Sequence, residues 1–261
     1  MSFTGKSPAE TYKDILQIDN SNSGADSTAR TIKTGDGTSS AISLSDRHLK
    51  VKSNTNNTTA LDVLNASDAS KFSVDTTNNQ VKALGHHVNT QYAYFGIGAD
   101  MQQTLVADTH YGIPFFGMAQ KVEGWIADFG TGTDPDTSFT TANTLSQKGS
   151  QLAGLLWYVP DNITIDAVYS IEGADQATGD TTRMHLYSYT FNSGSTSALA
   201  SGTLLAHNSD VTNAGSEQAY LSTWTIDSSS VAAGKVICAF FRSDSVNSDY
   251  TTNITVKYHL T

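Results

Sequence analysis

Leu61-Asp62-Val63, Phe72-Ser73-Val74 and Val81-Lys82-Ala83 are three short apolar-x-apolar couplets, and the fold turns on how they are read. Between them lie Ala66-Ser67-Asp68 and Asp75-Thr76-Thr77-Asn78-Asn79. Side chains two apart in an extended chain share one face, so each couplet predicts a strand with two apolar groups on the same side. The intervening Asx- and hydroxyl-rich segments favour turns, because their side chains hydrogen-bond the nearby backbone. Upstream the pattern continues with Ile42-x-Leu44 and Leu49-x-Val51, bounded by Ser45-Asp46-Arg47 and Ser53-Asn54-Thr55-Asn56-Asn57. The couplets recur at intervals of 7 to 12 residues, a loose internal repeat rather than a fixed-period array.

Strands this short, about three residues each, bury very little within one chain. Ordering the backbone costs roughly 1–2 kcal/mol per residue, and a pair of inward side chains per strand does not offset that alone. Three copies around a common axis bring the couplets into one narrow core and give each strand edge a partner. A disordered tether is the bland alternative, but it has no use for regularly placed Leu, Val and Phe. Residues 30–88 therefore predict an intertwined, homotrimeric β shaft. Its core is Ile42, Leu44, Leu49, Val51, Leu61, Val63, Phe72, Val74 and Val81.

Towards the N-terminus, residues 1–29 predict an anchor and a linker. Ser7 is placed to cap a helix, Pro8 suits its first position, and Glu10 completes a capping box. Tyr12, Ile15 and Leu16 fall at i, i+3 and i+4 and make one apolar stripe. So short a helix is marginal in isolation and needs a surface to dock on. Residues 19–30 are nearly free of large apolar groups and predict an extended arm.

Towards the C-terminus the texture changes near residue 88. Residues 89–261 carry longer alternations: Ile163, Ile165, Ala167, Tyr169 and Ile171; Tyr220, Trp224 and Ile226; Ile254, Val256, Tyr258 and Leu260. Residues 151–159, 183–191 and 235–242 also read as strands. No helical stretch is long enough for a βαβ crossover, so an antiparallel sandwich or jelly-roll head is expected. The fold class is mainly β throughout, apart from the anchor helix.

The net charge of −10, with no Lys/Arg cluster, disfavours nucleic acid and anionic membranes as partners. No segment approaches the roughly 20 apolar residues of a membrane span. No secretory signal precedes the anchor, so folding in a reducing cytoplasm is expected. Cys238, the only cysteine, lies in Val-Ile-Cys-Ala-Phe-Phe and reads as a buried small hydrophobe.

Motifs for chemistry are few. Residues 173–180 have the glycines of a phosphate loop but an acid where its lysine belongs. Gly-x-Ser-x-Gly and His-Glu-x-x-His are both missing. His86 and His87 point to opposite faces of a strand, so one chain cannot use both on one metal; three chains could make an axial ring. Asp128, Asp134 and Asp136 lie in a Gly-rich loop that could take calcium but departs from EF-hand spacing. Glu172, Asp175 and Asp180 decorate what reads as a loop, where a carboxylate pair could hydrolyse a glycan. Tyr169, Trp224 and Tyr258 read as core-facing rather than as a sugar groove, and burial is the commoner fate for Trp125 and Trp157. Tyr187 and Tyr189 read as core, on one face with Phe191. No cofactor and no catalytic residue is expected.

Three segments carry a resemblance: Lys6 to Asn20 (Lys-Ser-Pro-Ala-Glu-Thr-Tyr-Lys-Asp-Ile-Leu-Gln-Ile-Asp-Asn), Gly35 to Ser45 (Gly-Asp-Gly-Thr-Ser-Ser-Ala-Ile-Ser-Leu-Ser) and Phe72 to Val81. Together they resemble the anchor and shaft of trimeric fibre proteins of tailed bacteriophages. Val159 to Asp166 and Glu172 to Arg183 look similar to head regions of such proteins in aquatic phages. The resemblance implies a homotrimer mounted on the virion by its N-terminus, on tail or capsid proteins. Its head would contact a host-surface glycan or protein. A capsid decoration or head fibre without a specific receptor is the alternative, and a glycan-hydrolysing tailspike a further one.

Overall fold

The computed structural model describes residues 15–18, 20, 23–97, 105–115, 126–142, 147–175, 178–246 and 250–261. Among these the chain is mainly β, and every strand pairing is antiparallel. It divides into two compact units, Met1–Val88 and Asn89–Thr261.

The N-terminal unit holds two small sheets. The first runs in chain order through β1 (Gln17–Ile18), β2 (Arg30–Lys33), β3 (Ser39–Leu44) and β4 (Leu49–Val51). The second does the same through β5 (Leu61–Leu64), β6 (Ser70–Asp75), β7 (Gln80–Ala83) and β8 (His86–His87). Both are meanders whose turns follow the expected chemistry. The Asp75 carboxylate accepts from the Thr77 and Asn78 amides, both at 2.9 Å, and from the Asn78 side chain at 2.7 Å. The Asn78 side chain first, then those amides, hold the Asp75 carboxyl below its usual range. Asn65 does the same for Ser67 and Ala69, and Asp68 and Asn79 adopt the left-handed conformation those tight returns need. Leu84 and Gly85 both have positive φ and close a two-residue hairpin between β7 and β8.

The segment predicted as helix is corrected where it is described. Gln17 and Ile18 form β1, paired with Lys33 and Ile32, and Ile15 and Leu16 precede it outside any helix. The β-branched Ile18 gains a partner strand there, which a lone helix end lacks. Ser7, Pro8, Glu10 and Tyr12 lie outside the described residues. Between β1 and β2 the described residues make local contacts. Asn20 Nδ2 donates to Gly24 O at 2.7 Å, and Asp26 pairs with Arg30.

In the C-terminal unit two sheets share one core. The five-stranded sheet has the order β17 (Glu217–Thr223), β13 (Ile163–Asp175), β21 (Tyr250–Leu260), β9 (Thr90–Ile97), with β19 (Ser230–Val231) also on β13. The eight-stranded sheet has the order β11 (Ile126–Asp128), β10 (Tyr111–Ile113), β20 (Lys235–Ser243), β14 (Thr181–Phe191), β15 (Leu199–His207), β18 (Thr225–Ile226). Here β12 (Trp157–Tyr158) joins β20 and β16 (Val211–Thr212) joins β14. Ile165, Val168, Ile254 and Val256 from the first sheet meet Met184, Leu186, Ile237 and Phe241 from the second. Trp224, buried where the chain passes from one sheet to the other, donates from Nε1 to Ser170 Oγ at 2.9 Å.

The outer face of the eight-stranded sheet is covered too. Phe129, Phe139, Leu152 and Leu155 pack on Tyr187, Tyr189, Cys238 and Phe240. β14 and β20 are therefore buried on both faces; β20 reads as a continuous apolar run, whereas β14 buries His185 and Ser188 among its apolar residues. Two expectations are corrected here. Residues 151–159 are not one strand: Gly149–Leu152 is a short helix, α1, and only Trp157–Tyr158 pairs with β20. Along β13 the register shifts between Ile165 and Ala167, so the inward face passes to Val168, Ser170, Glu172 and Ala174. Tyr169 and Ile171 consequently point outward. Trp157 and Trp224 are buried and Tyr258 is partly so; Trp125 lies outside the described residues.

Candidate assembly surface

Register decides which side chains the N-terminal unit gathers. Leu61 lies opposite Val74 and Val74 opposite Val81, while Val63 lies opposite Phe72 and Phe72 opposite Ala83. Directly opposed residues share a face, so these six groups form two rows on one side of the β5–β6–β7 sheet. The other side carries Asp62, Ser73 and Lys82 in a row. The first sheet repeats the scheme: Ile42 faces Val51 and Leu44 faces Leu49 on one side, with Thr31, Ser43 and Lys50 on the other. The nine residues singled out from sequence thus fall into two apolar faces.

Among the described residues those faces are only partly covered. Every buried apolar side chain among the described residues belongs to the C-terminal unit, beginning at Ala93. Ile42, Leu49, Val51, Leu61 and Val63 expose between 41% and 62% of their surface, and Leu44, Phe72, Val74 and Val81 are half-buried. A gap of about 290 Å³ opens between Val51, Ala60, Leu61 and Val74.

The groups expected to offer chemistry are dispersed. Asp128 Oδ1 accepts from Gly130 N at 2.9 Å, and the Asp136 carboxylate lies against Gly130, whose φ is +95°. Asp134 Oδ1 approaches His185 Nε2 at 3.4 Å. The three carboxylates thus turn to different partners. Glu172 is corrected from loop to strand: it lies within β13, 1% exposed, facing the shared core. Thr182 Oγ1 donates to its Oε1 at 2.6 Å, while Oε2 and the Oγ1 of its cross-strand neighbour Thr252 have no hydrogen-bond partner. Burial pushes this carboxyl up to about 7, with the Thr182 hydrogen bond opposing. Asp180 accepts from Tyr250 OH at 2.7 Å. Burial raises the Cys238 thiol well above its ordinary value.

Two features escaped the sequence reading. His110 and His185 are fully buried with ring centroids 5.1 Å apart. His185 also stacks on His207, whose Nδ1 meets Asp227 at 2.7 Å. His110 Nδ1 reaches Gly130 O at 3.2 Å, whereas its Nε2 and both His185 nitrogens lack a hydrogen-bond partner. The cross-strand pairing of His185 with His207 brings this row together, and no spacing within one strand announces it. The other feature is the outward face of the five-stranded sheet, where Tyr92, Tyr94, Tyr169, Ile171 and Leu221 stand exposed. The chain matches no protein-family model and no curated protein.

Proposed function

We propose that this protein is a non-enzymatic structural subunit of a virion fibre. It is a homotrimer that uses residues 30–88 as its shaft, residues 1–29 to anchor on tail or capsid proteins, and residues 89–261 as a head that contacts the host surface. One observation carries the reading: the apolar faces of both N-terminal sheets are presented outward by a single chain. A solvated meander needs polar groups on both sides, whereas Leu61, Val63, Phe72, Val74 and Val81 fall in register on one side. Fully burying an aliphatic side chain is worth roughly 1.5–3 kcal/mol, so covering Leu61 and Val63 adds about 1 kcal/mol apiece, and covering the more buried Phe72, Val74 and Val81 adds less. Multiplied over copies, that supplies what one chain lacks. Three copies suit the pattern better than two, because a closed ring of chains also pairs the strand edges a face-to-face dimer leaves open. The bacteriophage-fibre resemblance of residues 6–20, 35–45 and 72–81 supports the same assembly and a location on a particle.

Sedimentation equilibrium of the purified chain tests the reading. The expected mass is three times the 27.8 kDa of one chain. Phe72→Asp with Val74→Asp puts acids from every copy at one level of the axis and should return the mass to a single chain. A wild-type mass of one chain across micromolar concentrations refutes it. Particle reconstruction with an antibody to the head then places the anchor on tail or capsid.

A further inference from the structure

The exposed face of the five-stranded head sheet has an order that the shaft does not explain. Register places Tyr94, Thr255, Tyr169 and Thr223 in one row across four strands. Asn253, Ile171 and Leu221 form the next, and Thr251, Gly173 and Ala219 the one after. Tyr92 stands beside Lys257 in the row before. Tyr92, Tyr94, Tyr169, Ile171 and Leu221 expose between 40% and 76% of their surface. An antiparallel sheet with one wet face ordinarily alternates to polar residues on that side. Here the wet side is aromatic and aliphatic in its middle.

We infer that this face is a contact between copies of the chain: in the assembled protein the outer face of the β17–β13–β21–β9 sheet packs against the head of a neighbouring copy. The inference rests on the trimer reading above. Charge is the first argument. The chain carries −10, so copies repel wherever carboxylates face each other. These rows contain none. Among the described residues acids stand only at the two ends, Asp166 paired with His259 at 2.9 Å, and Asp175 opposite Glu217. This is a neutral apolar centre with a polar rim, the anatomy of a protein interface.

Area is the second argument. A buried aromatic contributes about 150–250 Å², so five large side chains at about half exposure leave roughly 400–500 Å² of open surface. That lies within the roughly 300–600 Å² of the largest apolar patch on a typical monomer, a size often put to use, and falls short of the roughly 800 Å² per partner of a free-standing complex. The shortfall matters little for tethered copies. Shaft association raises the effective concentration of heads to about the millimolar range, where a modest interface closes. β9, which supplies Tyr92 and Tyr94, begins directly after the N-terminal unit ends, so these groups lie nearest in the chain to the tether.

Cysteine accessibility in the full-length protein tests this. Cys238 is fully buried, so an introduced thiol reports alone. Ile171→Cys is compared with Ser193→Cys, exposed in the turn between β14 and β15 on the other sheet. In a sample whose mass is trimeric, the thiol of the Ile171→Cys variant should react with a maleimide at least tenfold more slowly than that of Ser193→Cys. Adding Phe72→Asp with Val74→Asp should bring the two rates together. A trimer in which Ile171→Cys reacts as fast as Ser193→Cys overturns the head contact and leaves the shaft intact. If the thiol of Ile171→Cys, open in that trimer, is then shielded by a neutral polysaccharide such as dextran, the face belongs to a sugar and the inference equally fails. A wild-type mass of one chain overturns the trimer reading and this inference with it.

Discussion

Replacing Glu172 by Gln should stabilise the C-terminal unit in alkali and leave it unchanged in acid. The carboxyl lies between the sheets, 1% exposed, with one oxygen held by Thr182 and the other unpartnered. Folding therefore moves it from an ordinary 4.5 up to about 7. A group raised on folding takes up a proton as the chain folds, so its stabilising contribution is complete below 4.5 and is lost as pH climbs through 7. The interval from 4.5 to about 7 corresponds to roughly 3 kcal/mol. Gln keeps an acceptor for Thr182, carries no charge at any pH, and offers an N–H towards Thr252 Oγ1, which has no other partner.

Urea unfolding followed by tryptophan emission, at one protein concentration and from about pH 4.5 to about pH 8.5, measures this difference. Trp157 and Trp224 are both buried in the affected unit. Near pH 4.5 the two proteins should unfold together. By about pH 8.5 the Gln variant should lead by roughly 3 kcal/mol, with the gap opening between 4.5 and 7. Taking the difference cancels the histidines, which titrate in both proteins. A gap that stays constant across the range refutes the reasoning, because it means Glu172 remains ionised inside the fold.

Three further outcomes follow from local geometry. His110 and His185 are lowered from 6.5 to about 4 and about 2, chiefly by burial, so their contribution is complete above 6.5 and is lost as pH falls through those values. His185→Phe should accordingly shift the acid unfolding midpoint, followed by circular dichroism, to lower pH. Gly202→Ala should destabilise the head by about 1–3 kcal/mol, read as a fall in Tm, since a Cβ there lies 2.6 Å from the Tyr189 ring and 2.7 Å from Thr137 Cα. Gly130→Ala should cost about the same by calorimetry, because φ is +95° and the Asp136 carboxylate occupies the space a methyl needs.

The couplets of the N-terminal unit were legible because their strands are short, alternate with Asx turns and pair with sequence neighbours. Leu61, Phe72 and Val81 each announce a strand, and consecutive order then sets the register. What one chain's sequence concealed lies where pairing is distant or shifted. One extra residue at Asp166 turned Tyr169 and Ile171 from the expected core side to the surface and carried Glu172 inward. A period of two has no redundancy against such a slip. Gln17 and Ile18, which follow the Tyr12, Ile15 and Leu16 stripe, pair with β2 instead of extending a helix, a tertiary partner that local propensity does not see.

The same bulge links the two least obvious features of the C-terminal unit. It places a carboxyl in the core, where only its protonated form is comfortable, and it places Tyr169 and Ile171 outside, where water is the poorer neighbour. A one-residue deletion at Asp166 would reverse both at once. Such a change would return Tyr169 and Ile171 to the core and Glu172 to solvent, the arrangement that alternation alone favours. Retaining the bulge keeps Val168 and Ala174 inside, while leaving the larger Tyr169 and Ile171 outside and a carboxyl in the core. It is consistent with a head whose outer sheet face is covered. The deletion variant should accordingly unfold at higher urea in alkali while losing protection at the outer face. A variant that is no more stable than the parent would show that Glu172 and the outward pair are incidental to the register, and that the bulge gives no reason for the outer face to be covered.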